Sequence, residues 1–179
     1  DGPGKALRLT VHPVREQLPI YLAAVGPKNL QLAGEIADGW LAVFFAPEHS
    51  GELMSHIRAG LARSARAEAD FDVVPTVPVV LGEDPVECAA AVRAYAALYI
   101  GGMGSWDQNF YNRLAVSMGY GAEAEQVQDA YLARDYAAAA AAVPWEFVDR
   151  TALLGPPDRV RDRLAAYADA GVTTLTIAP

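Results

Sequence analysis

At 179 residues, with 53% hydrophobic and 20% charged positions, the chain can bury one substantial core and is too apolar to be disordered. Its formal net charge of −8 argues against nucleic acid as a partner, because a phosphate backbone demands clustered Lys and Arg. The single cysteine, Cys88, excludes an internal disulfide and a thiolate metal cluster and suits the cytoplasm, while the apolar stretches are broken well short of the about 20 residues that span a membrane.

Residues 1–18 begin polar and glycine-rich, and the alternation from Leu7 to Val11 reads as a short edge strand or an extended loop. His12, beside Pro13, reads as a surface residue. Ile20 to Val25 is a continuous apolar run bounded by prolines, the pattern of a strand covered on both faces and so of a parallel sheet. Gly26 then permits a sharp change of direction, and Pro27 suits the first helical position, where its missing N–H costs nothing. The backbone donors of Lys28, Asn29 and Leu30 follow without intrahelical partners, at the positive end of the helix dipole, with a lysine charge added. A phosphate or carboxylate is the ligand such a turn suits; an ordinary strand-to-helix turn has the same spacing. Lys5, Arg8 and Arg15 are further basic residues that the sequence leaves unplaced. Leu30, Ala33, Ile36 and Ala37 recur at helical spacing and face the sheet.

Trp40 to Phe45 reads as the second core strand, and Pro47 starts a helix whose stripe is Leu53, Met54, Ile57 and Leu61. Phe45 lies at the carboxyl end of that strand, where an aromatic either lines a pocket or fills the core. His49, in the first helical turn, is a candidate acid or base against the plainer reading of a solvated loop histidine. His56 falls on another side of the helix, so the two do not form a metal pair. Val73 to Leu81 is the third core strand, with Pro75 and Pro78 awkward inside a sheet. Glu83 and Asp84 read as helix-capping acids ahead of Pro85 in preference to a catalytic carboxylate pair.

From about residue 101 to 155 the spacing predicts a helical insertion instead of the next strand, with Leu153 in its last amphipathic piece. Gly101, Gly102 and Gly104 either give the backbone room to approach a ligand beside Met103 and Trp106 or merely end a helix. Pro156 and Pro157 open the last helix, whose alternating charges mark a solvated face, and Val172 to Ile177 is the fourth core strand. One domain over 1–179 is expected. No Ser-His-Asp set, zinc spacing, Walker loop or dinucleotide glycine fingerprint appears, a shortage that suits an enzyme whose cofactor performs the chemistry.

Several separated runs carry a resemblance. AAVGPKNLQLAGEIADGWL (23–41), FFAPE (44–48), YIGGMGSWDQNFYN (99–112) and LLGPPDRVRDRLAAYADAGVTTLTI (153–177) together resemble the C-terminal half of the luciferase-like flavin and deazaflavin oxidoreductases. They are most similar to the subgroup that uses coenzyme F420, the deazaflavin. The resemblance implies an α/β fold, the C-terminal half of a (β/α)8 TIM-type barrel with parallel strands and a helical insertion before the last strand, holding its cofactor at the carboxyl ends of the strands. A whole barrel needs eight strands and about 250 residues, and the chain does not begin with Met, so it is expected to be part of a larger polypeptide. The implied reaction is hydride transfer between coenzyme F420 and a small organic substrate; FMN-dependent monooxygenation and a non-catalytic half-barrel that assembles through its sheet edges are the alternatives. The cofactor would be held by the backbone of Gly26, Lys28 and Asn29, with Ala24 and Val25 beneath it and Phe45 as a weaker pocket residue, and any proton donor would come from the missing N-terminal half. The bare edges of a four-stranded sheet call for a homo-oligomer or pairing with that other half. No metal and no membrane partner is expected.

Overall fold

The structure is a computed structural model that describes residue 4, residues 10–12 and residues 14–178. The strand expected over Leu7 to Val11 lies mostly outside the described residues, as do Lys5 and Arg8. Beyond them the chain forms β1 (Tyr21–Ala23), α1 (Pro27–Ile36), β2 (Gly39–Val43), a 3-10 turn (Pro47–His49), α2 (Ser50–Arg63), β3 (Asp72–Leu81) and α3 (Pro85–Ala97). After α3 come a π-turn (Leu98–Gly102), α4 (Phe110–Ser117), α5 (Gly121–Leu132), α6 (Tyr136–Ala142), α7 (Trp145–Thr151), β4 (Leu153–Gly155), α8 (Pro157–Asp169) and β5 (Thr176–Ala178).

Every strand pairing is parallel: β1 with β2, β2 with β3, and β3 with both β4 and β5. The long strand β3 changes partner along its length, meeting β2 over Asp72–Thr76, β5 over Thr76–Pro78 and β4 over Val79–Leu81. Pro75 and Pro78 fall near the ends of these short registers, where a missing N–H costs little. Strands occur at all four expected places as β1, β2, β3 and β5, but β1 and β5 span only three residues each, β5 starts at Thr176 and not at Val172, and exposed Ile20 and Ala23 show that β1 is not covered on both faces. The fifth, β4, corrects the helical reading of Leu153: burial holds Leu153 and Leu154 on opposite faces of a strand that extends the carboxyl end of β3.

The period-2 alternation of a strand assigns each residue to a face. Leu22, Ala24, Trp40, Ala42, Val73 and Val77 face one core, closed by Leu30 and Ala33 of α1, Met54, Ile57 and Leu61 of α2, and Tyr167 of α8. Val43, Val80 and Leu154 face the other core, which α3 and the helices of the insertion build. Helices α1, α2 and α8 therefore cover the outer face in barrel fashion, whereas α3–α7 fold over the carboxyl end of the opposite, inner face.

Two glycines let α1 and α2 touch. A Cβ on Gly34 would lie 2.2 Å from the Ile57 carbonyl oxygen, and one on Gly60 would lie 2.0 Å from that of Gln31, so each helix presses its backbone into the other. Asp84 caps α3, its side chain accepting from the Val86 N–H at 2.8 Å, as its position predicted.

Candidate functional site

All the strands run the same way, so their carboxyl ends form one rim, and the turn from β1 into α1 stands on it. Gly26 is the extended residue before the helix, Pro27 occupies its first turn, and no side chain caps the helix start. Lys28 and Asn29 are exposed there, and Lys28 makes no ion pair among the described residues. Beside this turn lies a cavity of about 180 Å³, bounded by Val25, Gly26 and Pro27, by Glu52 and His56 of α2, and by Phe110 and Arg113 of α4. A volume of that size accepts a phosphate-sized group but falls short of the about 300 Å³ of a drug-sized site.

The roof of the cavity comes from the insertion. The Phe110 ring lies 3.2 Å from where a Gly26 Cβ would stand, so a side chain there would press on the ring. Arg113 stacks on Phe110 at 5.8 Å and donates to the Asp107 carbonyl, holding a cation at the cavity wall. Glu52 and His56 are one helical turn apart on α2 and share a face. His56 and Arg113 are the residues that sequence reasoning missed; the i, i+4 spacing of Glu52 with His56, and of Phe110 with Leu114, was the available signal.

Of the six candidate cofactor residues, Val25 and Gly26 line the cavity, and Lys28 and Asn29 stand exposed at the helix start. Ala24 and Phe45 turn the other way. Ala24 is 5% exposed and belongs to the outer core, with its carbonyl oxygen accepting from the Trp40 indole at 2.8 Å. Phe45 is 1% exposed between Trp40 and Tyr167, with ring centroids 6.0 and 5.9 Å away, and does not reach the cavity. The cause is Phe44, whose φ of 55° breaks the strand alternation. Val43 and Phe44 consequently enter the same core, and Phe45, which alternation would place on the inner face, is sent to the outer one.

His49 ends the 3-10 turn after β2 and is not among the cavity residues; its Nδ1 is buried without a hydrogen-bond partner among the described residues. Its neighbour Glu48 is clamped by Arg163 of α8, which also donates to the Arg150 carbonyl at 2.8 Å. The Arg163 hydrogen bond to Glu48 holds the Glu48 carboxyl below its usual range.

Gly101 and Gly102 serve packing. A Cβ on either would meet the Tyr131 side chain at 2.4 Å, so the π-turn lies flat against α5. Asn109, 1% exposed, explains its own run: its amide donates to the Tyr99 and Ile100 carbonyls at 2.8 and 2.9 Å, while its oxygen accepts from Tyr111 and Asn112 at the start of α4. One side chain thus terminates the π-turn and begins the helix that roofs the cavity.

A parallel α/β sheet with a helix start and a cavity on its carboxyl rim is the arrangement of a barrel-type fold. The chain belongs to the luciferase-like monooxygenase family, whose model matches residues 3–174. It is 37% identical over 178 residues, 98% of its length, to a Mycobacterium tuberculosis protein described as a coenzyme F420-dependent oxidoreductase, of which it covers 51%. It is 31% identical over 160 residues, 88% of its length, to the 5,10-methylenetetrahydromethanopterin reductase of Archaeoglobus fulgidus, covering 47% of that protein. Among solved structures, the coenzyme F420-dependent tetrahydromethanopterin reductase of Methanopyrus kandleri superimposes with a TM-score of 0.75 at 25% identity, over 90% of this chain and 45% of that one. The chain therefore spans about half the length of these relatives.

Proposed function

We propose that the chain supplies part of an oxidoreductase that moves a hydride between coenzyme F420 and a small organic substrate. The observation that carries this is the uncapped start of α1 on the carboxyl rim, beside a cavity with Arg113 in its wall. The residues present fit an anionic, ring-bearing cofactor. The Lys28 and Asn29 amides with the Lys28 ammonium suit the anionic tail, and the inner-face residues Ala23, Leu41 and Val43 offer a ring only hydrocarbon. Bound there, a deazaflavin supplies the hydride-transfer chemistry.

The chain's own residues bind and orient. Gly26 keeps the turn slim beneath Phe110; Val25 packs at the cavity edge; and the bond from Trp40 to the Ala24 carbonyl fixes the strand end from which the turn departs. The relatives' names favour the deazaflavin over FMN. A cytoplasmic setting and pairing of the bare sheet edges with further strands, from a second copy or from the same polypeptide, belong to the same proposal.

Titration with coenzyme F420, followed by its visible absorbance, tests the reading. Saturable binding is expected, with Lys28→Glu weakening it about tenfold, a loss of about 1.4 kcal/mol, and with salt weakening it further. Absence of binding overturns the cofactor assignment, and unchanged affinity in Lys28→Glu overturns its placement at the α1 start.

A further inference from the structure

The cavity beside the α1 start has a charge balance that one residue decides. Among its lining residues the ionisable side chains are one acid, Glu52, one base, Arg113, and one imidazole, His56. Acid and base cancel, so the wall is neutral when the imidazole is neutral and carries one positive charge when it is protonated. The packing explains how the three come together. Glu52 and His56 stand one helical turn apart on α2, and Phe110, Arg113, Leu114 and Ser117 recur at helical spacing along α4, so one face of each helix borders the gap. The two helices are anchored in different cores, α2 in the outer one through Met54 and Ile57 and α4 in the inner one through Ala115, and the cavity is a seam between them.

His56 is half-buried, whereas Glu52 and Arg113 are exposed, so a charge on His56 is the least screened of the three. Among the described residues neither His56 nor Glu52 makes an ion pair, so no such contact already neutralises an imidazolium there. The other charges packed around α2 are engaged elsewhere: Glu35 of α1 with Arg63, Glu68 with Arg58, and Glu48 with Arg163. Across the cavity, Arg113 bonds the carbonyl of Asp107, whose carboxylate accepts from Ser105. Lys28, exposed at the α1 start, adds a positive charge beside the cavity but not on its wall. Histidine is the ordinary side chain whose charge changes between about pH 5 and 8.

We propose that His56 gates this cavity as a site for a small oxyanion, a phosphate ester or a carboxylate. Protonated, it turns the wall positive and the anion is held; neutral, it leaves acid and base balanced and the hold is lost. That the oxyanion belongs to coenzyme F420 rests on the deazaflavin reading; the gate itself does not. The attraction needs a charge on the wall and no hydrogen bond from the ring, because a unit charge in a half-buried setting acts more strongly than it does in water. By linkage, an anion that prefers the protonated form also draws protons onto it. The volume of about 180 Å³ suits one such group and not a whole cofactor.

The test uses sulfate, which stays a dianion throughout, titrated into the cofactor-free chain in a buffer without other oxyanions and followed by the methyl NMR shifts of Leu53 and Leu114 in the cavity wall. The wild type is expected to bind about tenfold more tightly at about pH 5.5 than at about pH 8.5. His56→Gln is expected to show the weak value at both. Glu52→Gln, which leaves Arg113 unopposed, is expected to bind at about pH 8.5 as tightly as the wild type does at about pH 5.5. No shift of those methyls, equal wild-type affinity at the two pH values, or a pH dependence that survives in His56→Gln overturns the proposal. Coenzyme F420, measured by ultrafiltration, is then expected to displace sulfate and to bind the wild type about tenfold more tightly than His56→Gln at about pH 5.5. A sulfate gate without coenzyme F420 binding overturns the cofactor reading and leaves the gate standing; coenzyme F420 bound alongside sulfate overturns the cofactor as the source of the oxyanion.

Discussion

Phe44 shows how one backbone torsion decides what a neighbouring pair of aromatics does. A regular strand would put Phe44 in the outer core and Phe45 over the inner face; a φ of 55° exchanges them and buries both. Phe44 then meets Tyr95, Tyr99, Tyr111 and Phe147, all within 6.2 Å between ring centroids. Truncating such a ring costs about 3–5 kcal/mol. The torsion itself is tested by comparing two truncations. At an ordinary position glycine is less stable than alanine by about 0.5–1 kcal/mol, whereas in the left-handed region the Cβ of alanine is the liability. Phe44→Gly should therefore unfold in urea at a concentration equal to or above that for Phe44→Ala. The usual order, alanine more stable, would show that Phe44 is not held left-handed.

At the scale of elements, one ion pair ties the carboxyl end of β2 to α8. Arg163 clamps Glu48 through both guanidinium nitrogens and bonds the Arg150 carbonyl, so the turn before α2, the end of α7 and the middle of α8 share one side chain. The Glu48 carboxyl is held below its ordinary value of 4.5, chiefly by the Arg163 hydrogen bond. A depressed carboxylate contributes stability that is fully present above the unfolded value and is lost as pH falls through the folded one. Because Glu48 is 46% exposed, solvent screening limits the contribution to about 1 kcal/mol or less. Thermal melts should show the wild type losing more stability than Glu48→Gln as pH drops from 6 to about 3; parallel losses would mean the pair contributes nothing.

The same elements show what the sequence made legible. Four strands were legible as apolar runs, although β1 and β5 are shorter than their runs and largely open, and α1 was legible from Pro27 and from Leu30 and Ala33, although Ile36 of the expected stripe is exposed. The three residues of β4 were not, since so short a strand between a helix and a Gly-Pro turn has no periodicity of its own. The turn from Gly26 to Asn29 was visible as a pattern, but His56 and Arg113, which line the cavity beside it, depend on how α2 and α4 pack. The fate of Phe45 depends on a torsion that no pattern of residue types announces.

For the whole molecule the decisive feature is a sheet covered unequally. Three helices close its outer face, and the insertion covers the carboxyl end of the inner face, but Ala23, Leu41 and Thr176 remain exposed on the rest. Among the described residues β1 pairs only with β2 and β5 only with β3, so both edges present unused backbone groups. An apolar inner face between two open edges favours association, since burying it removes hydrocarbon from water while strands add to the edges. The 179-residue chain should therefore sediment above one chain's mass at tens of micromolar. Leu41, 38% exposed at the centre of that face, is the place to intervene. Leu41→Asp should return the chain to a single-chain mass with stability changed by no more than about 0.5 kcal/mol, because an exposed side chain carries little of the fold. A wild type that sediments as one chain, or an assembly indifferent to Leu41→Asp, would show that the inner face is not where copies meet.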